Sequence, residues 1–164
     1  MITATLSVDD YIAGHRLYYR RARNVMYVAS TCILVAGLVI VFFNSRTTWG
    51  PIVTLAGIGG LFGNLYGDLS ALPSKVRSLY SQFKGLSEPL TLSWDSEYLE
   101  GKNAEGSGRR RWTDYIRMKE DDRVFLLYIT DNLWHVYPKR WFANQAQMNE
   151  FREYASKAGE LAGR

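Results

Sequence analysis

Few residues in this 164-residue chain have the types and spacing for chemistry. There are two histidines, His15 and His135, and one cysteine, Cys32. Neither histidine has a cysteine or carboxylate at metal-ligand spacing, so no metal site is expected. A phosphate-cradling glycine loop, a GxSxG elbow and an HExxH pair are all absent from the sequence. The pair Asp121-Asp122 looks like a carboxylate dyad only superficially; following Glu120, it predicts a solvated turn. A single cysteine forms no intramolecular disulfide, which suits a reducing cytosol. No catalytic, cofactor-binding or metal-ligating residue is assigned, and the chain is expected to be non-enzymatic and to need no cofactor.

The remaining candidates are binding residues, and they are cationic. Arg109, Arg110, Arg111, Lys139 and Arg140 are the candidate contacts for an anionic lipid headgroup or an acidic partner, with Arg117 and Lys119 nearby. The competing reading is a solvated face balanced by acids, because residues 88–164 carry twelve basic and thirteen acidic side chains. Residues 1–87 carry eight Lys or Arg against three Asp, so the net charge of +4 belongs to the first half. A nucleic-acid binder would more often place its excess on the folded domain, so no nucleic acid is expected. Trp94, Trp112, Trp134 and Trp141 read as core and rim of a sheet.

Two apolar stretches govern where these residues can lie. Val25–Phe43 holds no charge, and Trp49–Leu69 holds only Asp68 at its far end. Each is about long enough to cross roughly 30 Å of hydrocarbon at about 1.5 Å per residue. Asn44–Thr48 leaves room only for a tight polar turn, so the pair predicts a transmembrane helical hairpin rather than a buried helical pair. Arg16, Arg20, Arg21 and Arg23 precede the first span, Lys75, Arg77 and Lys84 follow the second, and the turn has only Arg46. This asymmetry places both termini in the cytosol. A signal peptide fits poorly, given the long polar lead and the second span that follows at once. Gly59, Gly63 and Gly67 recur every four residues and predict a helix-packing stripe. Its expected partner is the first span, through Ala29, Ala36 or Gly37, with a homodimer as the alternative. Asn64 and Asp68 share a face, and Asp68 is placed at the cytosolic headgroups in preference to a polar site within the membrane.

Outside the spans the pattern is mixed. Ile2–Leu6 reads as a short strand, and Ser7 as the N-cap of a helix with Asp9 and Asp10 in its first turn. Tyr11, Tyr18, Tyr19 and Tyr27 approach the interface. After Pro73, Val76, Leu79, Tyr80 and Phe83 mark an amphipathic connector ending by Gly85 and Pro89. From there the period changes. LTLSW, EYLEG, RRRWTDYIRMK, DRVFLLYIT and LWHVYPK read as five strands, with turns at Asp121-Asp122 and Asp131-Asn132 and a loop holding Asn103, Gly106 and Gly108. Asn144 caps a final helix to about Leu161, with Gln147 at its third position. The expected segments are an N-terminal strand and basic helix (1–24), a two-span hairpin (25–69), a connector (70–87) and a cytosolic α+β domain (88–164). The domain's antiparallel sheet would be closed by the C-terminal helix, and Ile2–Leu6 could complete it.

These motifs resemble the YcxB-like family of bacterial membrane proteins. SVDDYIAGHRLYYRR is similar to that family's opening. Trp112, Ile116, the run FLLYITDNLWHVYPKRWF and the helical NEFREY resemble its cytosolic domain. Tyr137 to Phe142 stands where the family has an apolar residue followed by Pro-Lys-Arg-aliphatic-Phe; Trp141 is bulkier than that pattern. The resemblance implies a pleckstrin-homology-like domain joined to two spans, and it carries no established reaction.

The expectation is a multi-pass protein of the bacterial inner membrane whose cytosolic domain binds membrane lipid or an unknown protein partner; a homo-oligomer is compatible with it. The alternative is an immunity or resistance protein guarding the membrane against a toxin, which a toxin-like neighbouring gene would favour. Reporter fusions after Arg164 and within Asn44–Thr48 should read cytosolic and external respectively. An external C-terminal reporter would overturn the charge argument.

Overall fold

Alternation and helical periodicity in the sequence resolve into two compact units. In the computed structural model, residues 1–44 and 46–159 are described. Of the expected turn and final helix, Ser45 and Leu161 lie outside them. One unit takes Met1–Tyr18 and Val76–Arg164, the other Tyr19–Lys75. The folded domain is thus built from both ends of the chain, not from 88–164 alone.

Helix α1 spans Val8–Phe43. It begins where expected. The Asp10 amide donates to Ser7 Oγ at 3.2 Å, while the Ser7 amide and hydroxyl donate to Asp10 Oδ2 at 3.0 and 2.6 Å. This is a reciprocal capping box. In the second unit, α1 pairs with α2 (Trp49–Tyr66). A π-helical turn, Gly67–Ala71, then leads to α3 (Leu72–Gln82). Pro73 explains the turn: a proline brings no amide to the ladder, and the Leu72 amide reaches back five residues to the Gly67 carbonyl. Two helices here are long and apolar enough to cross a membrane.

The packing of this pair corrects the expected glycine stripe. A Cβ added to Gly59, Gly63 or Gly67 meets nothing within 4 Å. The close approach occurs instead at Gly57, where a Cβ would lie 2.5 Å from the Leu34 backbone, at Gly50 against Val41 at 2.7 Å, and at Gly60 against Ser30 Oγ at 2.7 Å. Gly37 meets the Thr54 backbone. At about 100° per residue, Gly59 is about 200° around α2 from Gly57, on the far face. On the α1 side the expected contact at Gly37 holds, whereas Ala29 and Ala36 are exposed and Ser30 is buried in their place. Polar groups fasten the same seam: Asn64 Nδ2 donates to Ser30 Oγ at 3.1 Å, and the Tyr27 hydroxyl donates to Asp68 at 3.2 Å beside Arg23 at 3.6 Å.

In the first unit, β1 (Ile2–Thr5), β2 (Pro89–Trp94), β3 (Tyr98–Lys102) and β4 (Ser107–Arg111) form one antiparallel sheet in chain order. A second contains β5 (Arg117–Glu120), β6 (Val124–Tyr128) and β7 (Trp134–Pro138), also in order. Ile2–Leu6 therefore does complete the sheet, with Ile2 opposite Leu92. The single strand expected over RRRWTDYIRMK is two strands in different sheets. A 3₁₀ turn, Trp112–Asp114, separates them, and the buried Trp112 anchors it by donating Nε1–H to the Asp95 carbonyl at 2.8 Å. Helix α4 covers Gln145–Ala155, ending earlier than expected. Asn144 caps it by accepting from the Gln147 amide at 2.9 Å, and Gln147 reaches back to the Ala143 amide. Phe151 of α4 is fully buried against Trp94, Trp112, Phe125, Tyr137 and Phe142. The outer face of β6 and β7 lies under the start of α1, where Gly14 lets the helix sit on Trp134 and Val136.

Gly57→Leu should abolish crosslinking between a cysteine pair placed on α1 and α2, because its Cβ collides with backbone. Gly63→Leu should leave the yield unchanged. Equal loss in both would contradict this seam.

Candidate functional site: an open cleft between strand edges

Alternation in the first sheet decides what faces inward. Leu92, Leu99 and Arg110 point to the interior side, whereas Ser93, Glu100, Arg109 and Arg111 point out. Gly101 and Gly108 are directly opposite one another on the inner side. A Cβ on Gly108 meets nothing within 4 Å, and one on Gly101 meets only Leu90 at 3.4 Å. Two side chains are missing at one place, and the interior stays open there. The resulting cleft has a volume of about 690 Å³.

The cleft is bounded by strand edges. Successive residues Ser107–Arg110 of β4 and Trp134–Tyr137 of β7 all line it. Successive strand residues point to opposite faces, so a wall made of four in a row is an edge. Both strands end their sheets. On β7 the hydrogen-bond phase is fixed at each end: the Lys139 amide donates to the Arg123 carbonyl and the Ile129 amide to the Leu133 carbonyl, both at 2.8 Å. His135 and Tyr137 therefore bond to β6, and the backbone groups of Trp134 and Val136 face away from it. Pro138 ends β7, as expected of a residue with no amide to donate.

The cleft has a polar side, lined by Glu88, Asn103, Glu105, Ser107 and Arg110. Trp141 is 7% exposed, and its Nε1–H has no hydrogen-bond partner. Glu88 Oε2 is likewise buried and unpartnered. Both residues line the cleft, with these two atoms themselves shielded from it. His135 Nδ1 lies 3.3 Å from the Tyr137 hydroxyl. Desolvation, then the charge of Arg110, pushes His135 below the usual histidine range, favouring the neutral ring. Burial raises Tyr115 and, far more, Tyr137. Among the described residues no group of three or more His, Cys, Asp or Glu could hold a metal. The arrangement can bind a ligand of mixed apolar and hydrogen-bonding character; it has the donors and acceptors for recognition.

The candidate cations do not form one surface. Arg110 alone points into the cleft, with its guanidinium 5.9 Å from the Tyr115 ring. Arg109 stacks on Tyr98 at 3.8 Å beside Asp95, and Arg111 bonds the Tyr98 hydroxyl beside Glu97. Lys139 and Arg152 both hold Glu120, at 2.5 and 2.7 Å. Arg140 clasps Asp10 with contacts of 2.6 to 3.2 Å and also donates to the Thr5 carbonyl at 2.9 Å. Lys139 and Arg140 are structural ion pairs within the fold, not free charges. Asp121 is a turn former, accepting from the Arg123 and Val124 amides at 2.8 Å. Gly108, expected in a loop, instead lies in β4 opposite Gly101. Two glycines at paired strand positions were the available signal.

Residues 94–155 match the YcxB-like protein family. The resemblance read from the sequence is borne out over that segment. It begins at the last residue of β2 and ends with α4. The YcxB-like segment therefore contains β3 to β7, Arg110, the edge of β7 and Trp141, while β1, the two apolar helices and Glu88 lie outside it. No curated protein and no solved structure matches the chain.

Burial works to raise Asp10, but the hydrogen bonds from Arg140 and Ser7 outweigh it and hold its carboxyl below the usual range. A depressed carboxylate stabilises the fold above the unfolded value of about 3.9, and this is lost as pH falls through the folded value. Asp10→Asn should therefore cost about 1–3 kcal/mol at neutral pH. In melts of the full chain in detergent, its deficit should close below about pH 4. A deficit constant with pH would contradict the ion-pair account.

Proposed function

We propose that this chain is a non-enzymatic, two-span protein of the bacterial inner membrane, with both termini in the cytosol, whose folded unit binds a protein partner through the cleft. The single observation that carries the reading is the open cleft of about 690 Å³, which lies between the edges of β4 and β7 and is lined by Arg110. The helical pair supports the membrane anchor. Val28 is 63% exposed and Phe42 82% exposed, and side chains of this kind along both helices call for an apolar solvent. Sheets of four and three strands with a C-terminal helix at their centre support a pleckstrin-homology-like arrangement, into which the hairpin is inserted between the first and second strands.

Between protein and anionic lipid, the distribution of charge favours protein. Lys139, Arg140, Arg109 and Arg111 each have a carboxylate close by. Glu88 and Glu105 line the cleft with Arg110, so it offers no concentrated positive field for a headgroup.

Gly108→Trp fills the inner gap where an added side chain meets nothing. In the tagged full chain it should abolish co-purification of a specific partner while shifting the melting temperature by no more than a few degrees. Lys102→Trp, on the outer face, should leave the partner bound. Identical proteins and lipids recovered with both variants would remove the cleft from the account.

A further inference from the structure

We infer that the cleft takes an extended peptide segment of a partner protein, which adds as a strand to the free edge of β7 and presents an acidic side chain to Arg110. This rests on the binding role proposed above and specifies the occupant.

Three independent features point to an extended peptide. The first is backbone. Residues from both faces of β7 line the cleft, so its wall is the strand edge itself. The ladder phase directs the N–H and C=O of Trp134 and Val136 away from β6 and toward that edge. Such a row is a template for one more strand. Pro138 stops the template at its end, since it offers no amide.

The second is the polarity of the lining. Glu88, Asn103, Glu105, Ser107 and Arg110 line the cleft beside its apolar wall. A peptide unit carries both a donor and an acceptor. A phosphate group carries acceptors alone and would meet Glu88 and Glu105 as like charges.

The third is space and charge. Gly101 and Gly108 open the inner side opposite the apolar Leu90 and Leu92, room for side chains of an incoming strand. Among the described residues, Arg110 has no carboxylate partner, and its guanidinium faces the Tyr115 ring. An acidic side chain on the peptide would complete it.

The test uses the full chain in neutral-lipid nanodiscs. The probe is a library of synthetic ten-residue peptides that alternate apolar and polar residues and carry one Asp or Glu. The best binder is then N-methylated at each amide in turn. Strand addition predicts a period of two: alternate positions should weaken binding about tenfold, the intervening ones less than about twofold. Arg110→Gln removes the charge but keeps a polar side chain. It should weaken binding several-fold with the melting temperature unchanged, and amide exchange should slow at Trp134 and Val136 when peptide is bound to the parent chain. An N-methyl scan without alternation, or no binder in the library at millimolar peptide, would overturn the peptide. Vesicles of phosphatidylglycerol form the second arm. Vesicle binding that depends on Arg110, without peptide binding, would overturn the peptide and keep the cleft as a binding site. No binding in either arm would overturn both.

Discussion

The clasp between Asp10 and Arg140 joins residues 130 positions apart, and the architecture of the folded unit depends on it. Asp10 is 5% exposed, and its carboxylate is used twice, by the cap at Ser7 and by the Arg140 guanidinium. The same guanidinium bonds the carbonyl of Thr5 at the end of β1. One charge pair thus ties the first strand and the start of α1 to the turn between β7 and α4. A lone buried carboxylate would be costly, so Asp10 needs the half-exposed Arg140 beside it. The chain segments they join are separated in sequence by the helical hairpin. A domain interrupted in this way needs contacts of long sequence separation to close.

Neither sheet closes on the other. The seven strands of the described residues are divided four and three, so β1, β4, β5 and β7 all end their sheets, and the cleft lies at β4 and β7. Proteins usually cover, charge or shorten such edges. Here α1 covers the outer face of β6 and β7, Pro138 limits β7, and the glycines of β3 and β4 keep the inner side empty. Stability and binding are separated accordingly. Phe151, Trp112 and Phe125 form the packed centre, whereas Glu88, Arg110 and Trp141 stand where packing gives out.

Much of this was legible in the residues themselves. Ser7 followed by Asp10, Asn144 followed by Gln147, and the alternation of LTLSW and EYLEG each carry a local signal with a local cause. The errors have causes too. RRRWTDYIRMK holds no glycine or proline, so nothing local marks the crossing from one sheet to the other; Trp112 makes that turn through a hydrogen bond to a distant carbonyl. The stripe Gly59, Gly63 and Gly67 is regular, yet the seam uses Gly50, Thr54, Gly57 and Gly60, a mixed set whose face only the partner helix defines. Lys139 and Arg140 looked like free charge because their partners, Glu120 and Asp10, are remote in sequence. Beyond Pro138 and the paired Gly101 and Gly108, the edge strands leave little sequence mark, and which edges face one another emerges only in three dimensions.

The account stands on the two ends of the chain forming one folded unit around that cleft. A protein made of residues 1–18 joined by a flexible linker to residues 76–164, compared with 76–164 alone, measures this directly. Thermal unfolding followed by near-ultraviolet circular dichroism should give a cooperative transition for the joined protein and none for the shorter one. An equally cooperative transition at the same temperature in residues 76–164 alone would contradict it.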